Sequence, residues 1–217
     1  MAGRPLSELS PGVEALLEAA IEGELGDGLP IVPPTREAVR RMLQASPWPA
    51  DRVLGVMAPA LQEVTVEEAA LCAVAAGCRP DYFPVVAAAL EAIMEPEFNL
   101  LAIQATTELA SPLVIVNDPA AARLGIHGGS GCLGPGFRAN ATIGRAVRLA
   151  AMRLGGAIPG EMDMATFGHA GKFTACFAEA EGESPWEPLH VERGFGAGQS
   201  TVTAVGADAP VNVNDFA

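Results

Sequence analysis

Between Leu124 and Asn140 the chain reads LGIHGGSGCLGPGFRAN, with six glycines, one cysteine, one histidine and one arginine ahead of an apolar-periodic segment. Glycine reaches backbone angles that a Cβ forbids. The N–H groups around Gly129, Ser130, Gly131 and Gly134 can therefore converge into an anion-binding nest. A helix opening directly after the loop adds the positive end of its dipole. Arg138 can grip a carboxylate or phosphate with two parallel bonds, and Asn140 stands at the expected helix start. In that field Cys132 is a candidate thiolate nucleophile or redox thiol; the competing reading is a small apolar side chain in a tight turn. Anion binding by the loop is preferred to nucleophilic attack by Cys132. No Gly-Lys-Ser/Thr ends the loop, so it is not a Walker loop, and no strand–GxGxxG–helix spacing marks a dinucleotide site.

Two further stretches carry chemistry. PGEMDMATFGHAGK (159–172) gathers Glu161, Asp163, His169 and Lys172 among glycines. Carboxylate, imidazole and ammonium together suit general acid–base work, and the alternative is a solvated loop with local ion pairs. In SPWEPLHVERGFG (184–196), Trp186 and Phe195 bracket Glu187, His190, Glu192 and Arg193. An apolar wall beside a carboxylate favours its protonated form and so an acid–base role. The alternative is a surface loop pinned by Trp186, with Glu192 and Arg193 paired. His127, His169 and His190 are the only imidazoles, so a metal-dependent lyase or hydrolase would have to draw on them. No spacing among them is diagnostic of a metal, and none specifies a cofactor. Cys72, Cys78 and Cys176 fall on apolar segments and read as core.

The elements that must position these groups follow from periodicity and punctuation. An amphipathic helix is expected over 12–25. In DGLPIVPPT (27–35), Pro30, Pro33 and Pro34 enforce an extended path, read as an arm packing on the core or on another subunit in preference to a rigid lid or entry strand. Thr35 caps a helix through Leu43, and a strand starts at Val53. Thr65 caps a helix over Val66–Ala76 that Gly77 ends. Pro80 starts another that runs to about Met94. Both are apolar on most faces and therefore buried. LLAIQATT (100–107) and PLVIVN (112–117) read as buried strands, and a short helical turn then ends at Gly125. Asn140 is expected to cap a helix through Leu154, with Arg145, Arg148 and Arg153 on its polar sides. Segments 172–180 and 200–207 alternate as strands. Helices alternating with strands predict one α/β domain over 27–217, with a mixed or mostly parallel sheet and helices packed on it, after an N-terminal helical arm over 1–26.

With 217 residues, 50% hydrophobic and 5% aromatic, the chain can bury a core of small and aliphatic side chains. A formal charge of −13 argues against a sequence-independent nucleic-acid binder. The beginning lacks a basic-then-apolar secretory pattern, no apolar run reaches bilayer length, and no C-x-x-C pair occurs. A cytoplasmic protein with reduced thiols, away from membranes, is the expectation.

DGLPIVPPT (27–35), AGCRPDYFPVV (76–86), QATTELASPLVIVN (104–117), GSGCLGPGFRANATIGRA (129–146), PGEMDMATFGHAGKFTACFAE (159–179) and SPWEPLHVERGF (184–195) resemble a bacterial family linked to UGSC-motif proteins. In that family a selenocysteine or cysteine occurs in a U/C-G-S-C tetrad, on the same chain or on a partner. The resemblance implies thiol- or selenol-based redox or transfer chemistry. Here Gly129-Ser130-Gly131-Cys132 has a different order, and the chain stops at Ala217 where similar proteins continue. The expectation is a subunit of a heteromeric enzyme acting on a small anionic metabolite, completed by a second chain. In it, Cys132, His169, Glu187 and His190 would be catalytic, and the loop, Arg138, Asn140, Lys172 and Arg193 would hold the substrate. The alternative is a non-catalytic scaffold for a thiol- or selenol-bearing partner.

Overall fold

The computed structural model describes Glu18, residues 26–211 and Val213. The helix expected over 12–25 and the arm over 1–26 lie outside the described residues, apart from Glu18 and Gly26. Capping chemistry sets the first elements. Thr35 Oγ1 accepts the Ala38 N–H and opens α1, Arg36–Leu43. Thr65 and Glu68 close a reciprocal capping box at the start of α2, Val66–Ala76, and Gly77 ends it in the left-handed region at φ 87°. A 3-10 turn at Pro80–Tyr82 leads into α3, Phe83–Met94. Both α2 and α3 are buried over most of their surface, as helices apolar all round must be. Their alanines let α2 sit closely on α6, Arg138–Arg153, which is the longest described helix.

A mixed three-stranded sheet lies against this helical layer, in the order β4 (Cys176–Ala178), β3 (Ser111–Val116), β5 (Val202–Ala207). β3 runs parallel to β4 with Val116 opposite Ala178, and antiparallel to β5 with Val116 opposite Val202. The parallel pair is joined through α5, Ala120–Leu124, the glycine-rich loop and α6. The chain is therefore a single α/β domain, as expected. α6 meets the segment entering β4 so closely that a Cβ on Gly144 would stand 2.5 Å from Thr174 Oγ1 and 2.7 Å from the Ala175 nitrogen. A separate antiparallel hairpin pairs β1, Val53–Met57, with β2, Gln62–Thr65. β2 gives no sequence signal because only Val64 of its four residues is buried. Among the described residues no helix is long and apolar enough to cross a membrane.

Four expectations are corrected. The strand expected over 100–107 is the short helix α4, Leu100–Gln104; a brief apolar run does not separate strand from helix by period alone. The strand expected over 172–180 shrinks to Cys176–Ala178, because residues 170–172 form a 3-10 turn. Asn140 does not cap α6 but lies inside it, since the helix starts at Arg138. Arg148 is not on a polar face: it is 5% exposed and faces polar partners brought in from distant segments.

Candidate functional site

The glycine-rich loop is held by its own polar groups. The Ala178 N–H donates to the His127 carbonyl (3.2 Å), tying the start of the loop to the end of β4. A Cβ on Gly128 would stand 2.3 Å from the Ala178 carbonyl oxygen, so only glycine permits this approach. Buried Asn140 accepts the His127 N–H (2.8 Å) and donates to the carbonyls of His127 (2.8 Å) and Cys132 (3.0 Å). The Cys132 and Gly134 amides close turns onto the carbonyls of Gly129 and Gly131. These two N–H groups are thereby used within the loop. His127 stacks on Phe137 with centroids 3.9 Å apart, and its Nε2 donates to the Ser130 carbonyl (3.0 Å). Arg138 spends Nε and Nη2 on the carbonyl of Gly77 at the end of α2 (3.3 and 3.0 Å). The loop is thus a locked turn that leaves Cys132 half-buried, with Ser130, Gly131 and Gly134 exposed.

A charged cavity of about 390 Å³ opens between α6 and residues 159–173. Arg148 donates to the Lys172 carbonyl (2.9 Å) and to Gln104 Oε1 (2.8 Å), and its Nη2 stands 3.5 Å from Asp163 Oδ2. Lys172 Nζ reaches the same carboxylate oxygen at 3.0 Å and the Ala110 carbonyl at 3.1 Å. Burial pulls the Arg148 guanidinium below its ordinary pKa, and the Asp163 carboxylate opposes that. Asp27 also faces the cavity, but its charge is met by a bidentate pair with Arg145 (2.8 and 2.7 Å). Among the described residues, two cations therefore share one acid, Asp163. His169 Nδ1 accepts the Gly171 N–H (3.1 Å) and Nε2 donates to the Leu109 carbonyl (2.9 Å), which fixes a neutral tautomer. His169 also lines a second cavity of about 580 Å³ whose wall includes Leu133, the neighbour of Cys132.

A third cluster lies past the carboxyl ends of β3 and β4. Asn117 follows β3, is fully buried, and donates to Glu179 Oε2 (2.6 Å) and Glu181 Oε1 (2.7 Å). His190 is 1% exposed, with Nδ1 3.8 Å from Glu181 Oε1. The sequence-predicted residues are thus divided among three places. Cys132, Gly129, Ser130, Gly131, Gly134 and Asn140 belong to the loop, with Arg138 turned onto α2. His169 and Lys172 belong to the cavity, and His190 to the acidic cluster. Glu187 and Arg193 are exposed, as is Trp186 at 79%, so no apolar wall encloses Glu187. The three imidazoles are not gathered. Sequence reasoning missed Arg148 as a buried group, and it missed Asn117, Glu179 and Glu181 altogether. The last three stand directly after apolar strand runs, the positions where open α/β sheets place ligand-binding groups, and that was the available signal.

The fold and these sites define an α/β domain with a cationic cavity and a separate acidic cluster. Comparison with family models, curated proteins and solved structures finds no match.

Proposed function

We propose that this chain is a subunit of an enzyme acting on a small anionic metabolite, whose carboxylate or phosphate sits in the cavity against Arg148 and Lys172. The observation that carries this reading is an excess of buried cation in a cavity of about 390 Å³, within a chain of formal charge −13. Guanidinium and ammonium groups in a low-dielectric recess recognise a carboxylate or phosphate through charge-assisted hydrogen bonds. Asp163 holds both cations in place and limits the net charge that must be buried without a ligand. His169, bonded at both nitrogens, serves as a wall between the two cavities. Cys132 beside Leu133 is the accessible thiol for transfer or redox chemistry, because burial pushes the Cys72 and Cys78 thiols up to about 12 and raises Cys176 further.

Thermal unfolding and calorimetry with inorganic phosphate and small dicarboxylates test the anion site. A ligand at about 100 times its Kd adds about 2.7 kcal/mol of stability. Lys172→Met is expected to weaken binding about tenfold or more, or about 1.4 kcal/mol. Equal anion response in the wild type and Lys172→Met, at matched ionic strength, refutes the site.

A second reading, a scaffold for a partner chain, is favoured by β5, whose outer edge pairs with no further strand among the described residues. Fast hydrogen exchange at alternate amides of 202–207 supports an open edge, and uniform protection removes it.

A further inference from the structure

We propose that Glu179, Glu181 and His190 form a binding site for a divalent transition-metal cation at the carboxyl ends of β3 and β4. The site is separate from the cationic cavity and does not depend on it. One ligand atom from each of the three residues lies within 4.8 Å of the others. Two ligands bonded to one ion at about 2.0–2.2 Å stand roughly 3–4 Å apart. Closing the cluster onto an ion thus takes shifts of a fraction of an ångström.

The independent observation is the imidazole. His190 is 1% exposed, and neither Nδ1 nor Nε2 has a hydrogen-bond partner among the described residues. Leaving a buried polar group unpaired costs about 1–3 kcal/mol, and such a group in a folded protein calls for a ligand, water or ion. The nearest charged atom is Glu181 Oε1 at 3.8 Å, too long for a hydrogen bond but suited to two ligands sharing an ion.

The carboxylates are prepared in the way metal ligands are. Asn117 Nδ2 donates to both, and its Oδ1 accepts the Thr201 hydroxyl, so the amide orientation is fixed. The Asp118 N–H donates to Glu181 Oε1 (2.9 Å), and the Leu189 N–H donates to Glu179 Oε2 (2.9 Å). These neutral donors orient the oxygens without cancelling their charge, which is the part played by outer-shell partners. No lysine or arginine among the described residues forms an ion pair with either carboxylate; the one ion-pair partner is His190, when protonated. Two oxygens and one nitrogen from three side chains suit the zinc, manganese and iron divalent ions, and leave coordination positions open for water or a substrate. Access is through Glu181, whose side chain keeps 15% of its surface exposed. Asn117 is a positioning residue here, not a ligand.

The test uses the full chain, stripped by dialysis against a chelator and titrated with Mn²⁺ by electron paramagnetic resonance and with Zn²⁺ by calorimetry, with Mg²⁺ as control. The expected result is one equivalent of Mn²⁺ or Zn²⁺ per chain, with Zn²⁺ the tighter. His190→Ala is expected to lose about 100-fold or more in affinity, and the isosteric Glu181→Gln and Glu179→Gln about tenfold or more each. If His190→Ala fails to fold, the two isosteric variants decide. Less than about a tenth of an equivalent bound to the wild type at ~100 µM Zn²⁺ overturns the proposal. Unchanged affinity in both isosteric variants also overturns it, because the ion is then held elsewhere.

Discussion

Asp163→Asn isolates the physics of the cationic cavity. Its carboxylate oxygen Oδ2 lies 3.0 Å from Lys172 Nζ and 3.5 Å from Arg148 Nη2, and its side chain is 4% exposed. The two cations therefore stand no more than about 6.5 Å apart, and at an effective dielectric of about 20 two unit charges at that spacing repel by about 2.5 kcal/mol. Neutralising the acid also removes its attraction for both cations, while lifting its own desolvation cost. Breaking a buried ion pair on one side costs about 3–5 kcal/mol in measured cases, and that range is expected here, because the lost attraction leaves the repulsion between the cations unopposed. For a chain of this size, each kcal/mol moves Tm by about 2–4 °C, so a fall of roughly 6–20 °C is expected by differential scanning calorimetry. The amide keeps the shape, so the loss is electrostatic, and an anion can replace the missing charge. Sulfate or phosphate should return more of the Tm to Asp163→Asn than to the wild type, against chloride at equal ionic strength. A variant within about 0.5 kcal/mol of the wild type, or one destabilised but rescued no better by divalent anions than by chloride, refutes the reasoning.

The remaining predictions probe the supports of the site. Burial pushes the Asp27 carboxyl up, but its bonds from Arg145 and the Leu29 amide outweigh this and hold it below its ordinary value of 3.8. A depressed folded pKa stabilises above the unfolded value and ceases to do so as pH falls through the folded one. Asp27→Asn should thus cost about 2 kcal/mol at pH 7, a cost that shrinks as the pH falls below the ordinary value of 3.8 and the wild type loses the pair, as read from urea unfolding at several pH values. Iodoacetamide at pH 8 should modify Cys132 alone in the native chain, and mass spectrometry showing Cys176 labelled first would contradict the burial of that thiol. Asn140→Ala removes three hydrogen bonds at once and should cost about 2–4 kcal/mol, with new protease cleavage within 128–136 as the local readout. Gly144→Ala drives a methyl to 2.5 Å from Thr174 Oγ1 and should cost about 1–3 kcal/mol by overpacking.

The elements bounded by local chemistry were legible in the sequence. Thr35, the Thr65–Glu68 box and Gly77 each act within four residues, so their composition carries their geometry. The arginines of α6 were not. A mid-helix Arg counts as exposed unless a partner reaches it, and the partners of Arg148 are Gln104 from one segment and Asp163 and the Lys172 carbonyl from another. The glycines between Leu124 and Asn140 suggest backbone angles that a Cβ forbids, and Gly125, Gly131 and Gly136 adopt them at φ 68°, 76° and 112°; the close approach of Gly128 to Ala178 is a contact the sequence does not announce. Their amides, expected to converge on a ligand, include two that close turns within the loop, a choice that glycine content alone does not encode. His190 stands out in sequence for its neighbours Trp186 and Glu187, yet in space it lies by Glu179 and Glu181, held by the Leu189 N–H and by Asn117, which the parallel register of β3 and β4 brings to them.

That register separates the two charged clusters. The carbonyls of Leu109 and Ala110, just before β3, bind His169 and Lys172, so the cationic cavity hangs from the amino end of the strand. Asn117, just after β3, carries the acidic cluster at the other end. Six residues of strand at about 3.3 Å each put the clusters roughly 20 Å apart, more than twice the Debye length of about 8 Å at physiological salt. Opposite charges at that distance neither cancel nor pair. Each cluster must be stabilised by what reaches it locally: Asp163 for the cations, and Asn117 with the proposed ion for the carboxylates. Substitutions at the two ends should then add within about 0.5 kcal/mol in the double variant Lys172→Met/Glu181→Gln. A larger coupling would mean that the strand transmits strain between its ends, and the two sites would have to be treated as one.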